Sequence, residues 1–302
     1  MQLSIGYVVP NQPKFCPTAI WNRNGSTFAN ETTLGFKTRS IFINPMNFVY
    51  FIHEEKNELL IWDNNSSNPI KRFPGNFSNP ASIFVTKDGN IYIDNGDKNG
   101  QVQKWIPKIN KLTTAMYVYS SCWQLFVDTR DNLYCSLPTH HQVLKNPLYD
   151  RETAVSIVAG ADSEGSSSDA LYDPKGIFVD AKFNLYVADC GNNRVQKFEP
   201  GQLDGITVAG DSLSNQTIQL NCPSGIALDS QKYLFIVDSN NHRIIGQGRY
   251  GFRCLLGCYG QGTDSTQLSF PSTLSFDRFG NMYVLDQGNK RIQTFQYLEN
   301  TC

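Results

Sequence analysis

An excess of positive charge is the first thing this sequence lacks. Its 26 Lys and Arg stand against 27 Asp and Glu, a formal net charge of −1, so no surplus of cations exists to hold a polyphosphate by counterion release. Nucleic acid is therefore not an expected partner. Long apolar runs are missing too. The best stretch, 41–52, is broken by Asn44, Pro45 and Asn47 and falls short of the ~20 residues of a membrane helix, so no membrane insertion is expected. The start, MQLSIGYVVPNQPKFC, has neither a charged beginning nor a continuous apolar segment. A signal peptide is not visible there; either it was removed or the chain is a fragment. Also absent are a G-x-S-x-G elbow, an H-E-x-x-H pair and a phosphate-cradling glycine loop. No cofactor is expected, and a non-catalytic role is favoured over an enzymatic one.

Aromatic residues, in contrast, are plentiful. With 19 Phe, 14 Tyr and only 18% charged residues, the chain can bury a large core, rich in residues that favour strands. Eight cysteines are present: Cys16, Cys122, Cys135, Cys190, Cys222, Cys254, Cys258 and Cys302. The number is even, and neither a CxxC pair nor histidines at zinc-finger spacing accompany them, which favours disulfides. Six glycosylation triplets begin at Asn24, Asn30, Asn64, Asn65, Asn76 and Asn215. Together these features predict an extracellular or secretory-pathway glycoprotein.

The chain repeats. Asp173-P-K-G-I-F-V-D-A-K-F-N-L-Y-V-A-D-C-G-N-N-R-V-Q-K-Phe198 has close copies from Cys222 to Ile244 and from Phe270 to Phe295, and looser ones around 40–62, 79–105 and 122–145. The second apolar position recurs as Phe42, Phe84, Phe126, Phe178, Ala227 and Ser275, at a spacing of propeller blades rather than solenoid coils. Each unit reads as a hairpin, a third strand of period two and a fourth strand such as Ile206-T-V-A-G. The last unit lacks a fourth strand, and Ser26-T-F-A-N stands alone before the first. The two predict a circular repair in which residues 25–29 complete the final blade. The expectation is an all-β, six-bladed β-propeller over residues 16–302, with residues 1–15 as an N-terminal extension.

The pattern P-x-G-I-x-V-D-x-x-x-N-L-Y-V-A-D-x-x-N-x-R-I-Q resembles the NHL repeat, strongly in the last three units and loosely in the first three, where Glu58, Gln101 and Gln142 replace the repeat Arg. With its cysteines and glycosylation triplets, the chain is most similar to secreted invertebrate NHL-repeat proteins. That resemblance implies fold far more than function. His141-Gln142-Val143 resembles a motif of the NHL-like peptidyl-hydroxyglycine lyase, which holds zinc through histidines of several blades. Here His242 shares the repeat position, but the inner strands begin Pro174-Lys, Pro223-Ser and Pro271-Ser and offer no further histidine. His53 reads as a turn residue and His140 as pointing away from its neighbour, so neither supplies the third ligand of a catalytic zinc. A metal-dependent lyase or hydrolase in the central channel, amidating-lyase-like or gluconolactonase-like, is the alternative reading.

Three sets, Asp189-x-x-Asn192-x-Arg194, Asp238-x-x-Asn241-x-Arg243 and Asp286-x-x-Asn289-x-Arg291, are read as turn closers in which Asp pairs with Arg and Asn takes a left-handed conformation. The segment 162–169, Asp-Ser-Glu-Gly-Ser-Ser-Ser-Asp, reads as an exposed, mobile loop between blades. Position in the repeat predicts four disulfides: Cys16–Cys302 locking the ring, Cys190–Cys222 across blades, Cys254–Cys258 in a fourth strand and Cys122–Cys135 in one hairpin. The last requires a bulge, because strict alternation puts its cysteines on opposite faces. The expected role is a binding platform for a protein or a glycan. Its candidate residues are His140, His141, Asn192, Asn193, Asn241, His242 and Lys290, which share one rim of the disc.

Overall fold

A computed structural model describes residues 12–35, 38–53, 55–63, 66, 68–74, 77, 80–95, 99–149, 154–161, 163–210 and 218–298. Among these, the strands group into six four-stranded antiparallel sheets and one two-stranded sheet. Blade 4 shows the plan: Pro174–Val179, Leu185–Asp189, Arg194–Phe198 and Gly205–Gly210 run antiparallel from the centre outwards. Both inner strands are buried almost throughout, whereas the outer strand is buried only at its end. An inner strand has neighbouring blades against both faces, so both sets of alternating side chains must be apolar.

The ring closes as the repeats require. Ser26–Ala29 pairs with Arg291–Phe295 and completes the sheet of Met282–Asp286 and Pro271–Phe276. Residues 13 and 15, in the segment read as an N-terminal extension, contact the propeller. Phe15 N–H donates to Asp229 Oδ2 (3.1 Å), and Ser230 N–H donates to the Pro13 carbonyl (3.1 Å). The Phe15 ring is buried against Trp21, Phe235, Phe276 and Tyr297, with centroids 5.0–5.5 Å away. Beyond it, Ile20–Trp21 pairs with Tyr297–Leu298. A large aromatic side chain at the edge of the ring is driven into the nearest apolar crevice, and it draws the segment with it.

In blades 3 to 6 the first hairpin opens on one face of the disc and is held by an aspartate. Asp128, Asp180, Asp229 and Asp277 each accept the backbone N–H groups two and four residues on, at 2.8–3.0 Å. This explains the V-D-x-x-x-N wording of the repeat. The residue before the fourth position is left-handed in each: Asp131, Phe183, Lys232 and Gly280. Glycine suits that conformation, and the other three tolerate it at some cost in strain.

Disulfides join Cys122 to Cys135, Cys190 to Cys222 and Cys254 to Cys258. The bulge needed by the first is present, since Trp123 N–H donates to the Ser136 carbonyl while Ser136 N–H donates to the Gln124 carbonyl. Two residues thus oppose one, and the strand reverses its alternation before Cys122. Cys16 is disulfide-bonded, and its expected partner Cys302 lies outside the described residues. No helix of the described chain is long and apolar enough to cross a membrane.

Candidate recognition face

On the opposite face, the second and third strands of blades 3 to 6 are joined by 3-10 turns: Pro138–His140, Cys190–Asn192, Ser239–Asn241 and Gln287–Asn289. Asp189 Oδ2 accepts Arg194 Nε at 2.7 Å, and Asp238–Arg243 and Asp286–Arg291 repeat the pair at 2.8 and 2.7 Å. The Asp and Arg therefore close their own turns. The position of the left-handed residue needs correction, because Asn192 and Asn241 lie inside the 3-10 turn. Their amides donate to Asp189 and Asp238 at 2.8 Å. The left-handed residue is the next one, His141, Asn193, His242 or Lys290.

Three of those left-handed side chains latch onto the following blade. His141 Nδ1 accepts the Asp173 N–H (3.3 Å), Asn193 Oδ1 the Cys222 N–H (2.8 Å) and His242 Nδ1 the Phe270 N–H (3.1 Å). Each donor immediately precedes the proline that opens an inner strand, and each has φ near +50° (51, 50 and 44°). A residue before proline is already restricted, and a positive φ adds strain. The latch therefore holds a conformation that the isolated segment would avoid. Lys290 instead pairs with Glu31 at 3.2 Å. His140 Nδ1 lies 3.1 Å from Ser120 Oγ, and its ring packs edge-on against Tyr119.

Arg194 also reaches into the loop that the sequence reads as exposed and mobile. Its guanidinium donates to the carbonyls of Ser166, Ser167 and Ala170 at 2.8–2.9 Å, and Asn192 donates to the Gly165 carbonyl at 2.8 Å. Arg291 grips Thr263, Asp264 and Gln267 in the same way. A planar fork thus satisfies several carbonyls of a loop that has no ladder of its own.

Of the candidate binding residues, His141 and Asn193, besides their latch bonds, line one depression, and His140, Asn192, Asn241, His242 and Lys290 lie outside its lining. The two border an open depression of about 710 Å³ spanning blades 3 to 5, with Thr139, Tyr172, Asp173, Lys175, Asn221 and Asn240 around them. Sequence reasoning missed these last residues. The signal available was the variable pair flanking each strand-opening proline, Asp173 and Lys175 around Pro174. Tyr172 is exposed and leans edge-on against the His141 ring. Lys175 lies 3.6 Å from Asp173 and 4.7 Å above the Trp123 ring.

The central channel has a different character. Phe42, Phe84, Phe126 and Phe178 stand in sequence around it, centroids 5.0–5.1 Å apart. With Ala227 and Ser275 in the wall, about 60 Å³ is left. These side chains carry no strong metal donor. His53, expected in a turn, ends the strand Phe48–His53 and is 2% exposed. Among the described residues, the acidic, His and Cys side chains that converge as a trio are Asp173, Cys190 and Cys222. Two of those three are joined as a disulfide, leaving a single carboxylate where a catalytic zinc needs three protein ligands. These residues do not fit a catalytic metal.

Burial holds the His242 imidazole below its ordinary pKa, against the opposing pull of Asp286 and Asp238. A depressed histidine favours the neutral form in the folded state. Its contribution is complete above the unfolded value near 6.5 and is lost as pH falls towards the folded value. The direction agrees with its role, because a protonated Nδ1 cannot accept the Phe270 N–H. His242→Asn installs the residue that blade 4 uses at this position. We expect its Tm to fall less than that of the native chain between pH 7.5 and 5.5; parallel curves would refute a role for His242 protonation.

Residues 171–198 and 220–246 match the NHL repeat. A search among curated proteins finds no match. Among solved structures, the chain is similar to a gluconolactonase from Xanthomonas campestris, with TM-score 0.67 and 12% identity over 97% of this chain and 96% of that one. It is similar to virginiamycin B lyase from Staphylococcus aureus, with TM-score 0.61 and 12% identity over 99% and 98%. An auxiliary nutrient binding protein from Bacteroides thetaiotaomicron follows, with TM-score 0.65 and 14% identity over 87% and 70%. At such identities the likeness concerns fold alone. The chain is thus a six-bladed β-propeller with four-stranded blades, and two of its repeats match the NHL repeat.

Proposed function

We propose that this chain is a secreted, glycosylated and non-catalytic recognition platform, whose partner, a protein or a glycan, docks in the depression spanning blades 3 to 5. The observation that carries the reading is the lining itself. An exposed tyrosine ring stands beside Asp173, Asn221, Asn240 and Thr139, on turns fixed by latches and a covalent bond between blades. A flat ring beside several hydrogen-bonding groups suits sugars and polar peptide surfaces alike, and rigidity limits the entropy lost on binding.

Three described disulfides support an oxidising compartment. Asn24 and Asn30 are exposed beside the closing strand; Asn64, Asn65, Asn76 and Asn215 lie outside the described residues. The channel alternative, a metal-dependent lyase or hydrolase, finds apolar side chains where it needs donors. RNA binding is disfavoured because Arg194, Arg243 and Arg291 already serve carboxylates and loop carbonyls.

The test is binding of the purified protein to panels of immobilised glycans and extracellular proteins. Tyr172→Ala, Asn221→Ala and Asn240→Ala combined are expected to weaken binding at least about tenfold, with Tm nearly unchanged. Binding unaffected by the triple variant, or a stoichiometric metal accompanied by turnover of a lactone or peptide substrate, would overturn the reading.

A further inference from the structure

The Cys190–Cys222 disulfide ties the 3-10 turn of blade 4 to the residue just before the proline that opens blade 5, and its two sulfurs stand in unlike surroundings. The Lys175 ammonium lies 3.4 Å from Cys222 Sγ. The Asp173 carboxylate lies 3.2 Å from Cys190 Sγ. Both charges come from the tripeptide Asp173-Pro174-Lys175, whose counterparts are Cys222-Pro223-Ser224 and Phe270-Pro271-Ser272 in the next two blades. The charge pair thus belongs to the blade where this disulfide sits and not to the repeat. Elsewhere the sulfurs meet neutral groups: Cys135 Sγ lies 3.9 Å from the Ser136 carbonyl, and Cys254 Sγ lies 3.6 Å from that of Leu256. Cys190 and Cys222 are buried, 5% and 9% exposed, but both border the open depression, which brings solvent and small solutes to the edge of the disulfide.

In thiol–disulfide exchange, one sulfur takes the incoming thiol while the other leaves with the electron pair. A cation beside the leaving sulfur stabilises its thiolate and speeds departure, and an anion does the reverse. The geometry points to Cys190–Cys222 as a site of exchange with small thiols of the glutathione class, in which Cys190 takes the thiol and Cys222 leaves. The external thiolate attacks Cys190 Sγ, the Cys190–Cys222 bond breaks, and the electron pair goes to Cys222 Sγ beside the Lys175 ammonium. One thiolate is consumed and one is formed, so no further oxidant or reductant is required. A second thiolate attacking the mixed disulfide would release Cys190 and yield the oxidised small thiol. Asp173 opposes departure of Cys190, and Lys175, 3.6 Å away, offsets its repulsion of the incoming anion. This chemistry does not depend on which partner the depression binds.

The test uses the intact protein. It is exposed to limiting glutathione, quenched in acid, alkylated with N-ethylmaleimide and mapped without reduction. Glutathione is expected on Cys190 and maleimide on Cys222, in roughly fivefold or greater excess over the reverse arrangement. Lys175→Met is expected to slow opening about tenfold, while Lys175→Arg retains most of the rate. An even or reversed distribution in the native chain overturns the assignment, as does opening of Cys122–Cys135 as early as this pair. The distribution is read on the native chain, so a Lys175→Met protein that fails to fold leaves the test intact.

Discussion

Asp189→Ala is expected to lower the free energy of unfolding by about 3–5 kcal/mol, because it strands a buried cation. The Asp189 side chain is 0% exposed and that of Arg194 9%. The carboxylate accepts the Tyr172 N–H at 2.7 Å, the Asn192 amide at 2.8 Å and Arg194 Nε at 2.7 Å. Truncation leaves all three donors short of an acceptor at once, and the loop carried by Arg194 loses its anchor. Urea unfolding followed by tryptophan fluorescence measures the loss. The double variant Asp189→Ala, Arg194→Met should recover part of it, since no uncompensated charge then remains. A loss below about 1 kcal/mol would mean that water enters the turn and replaces the carboxylate.

Phe15→Ala is expected to cost about 3–5 kcal/mol, although residues 1–15 read in the sequence as an extension. The ring is 3% exposed and touches Trp21, Phe235, Phe276 and Tyr297. Those four neighbours come from the N-terminal segment, blade 5, blade 6 and the strand after it, so collapse around a missing ring would have to move several elements together. The same change is expected to increase amide exchange in Ser26–Ala29, the strand that closes the ring, because Phe15 and Trp21 hold the approach to it. Unaltered exchange there would separate the aromatic cluster from ring closure.

Features that repeat and act locally were legible. The D-x-x-x-N hairpin and the D-x-x-N-x-R turn satisfy their own backbone groups within two to five residues, so the letters themselves display the interaction. Phe42, Phe84, Phe126 and Phe178 were aligned by period alone, and the same positions meet around the channel. The candidate face was less legible. His141, Asn193 and His242 look like solvated turn residues, because their acceptors serve donors 32, 29 and 28 residues away. A difference of one residue in the left-handed position also changes which side chain points to the next blade. Asn192 and Asn193 are the same letter and do different things.

The sequence by itself determined the six-fold repeat, the four-stranded blade and the strand that closes the ring. These rest on period-two burial and turn chemistry, which are written within each unit. Only the tertiary structure decided that Phe15 packs into the aromatic cluster of blades 5 and 6, that one arginine bonds the loop before its own blade, and that a lysine and an aspartate flank one disulfide. Each of these depends on contacts between segments that lie far apart in the chain or follow a repeat proline. Blade packing sets such distances, and no spacing of letters encodes them.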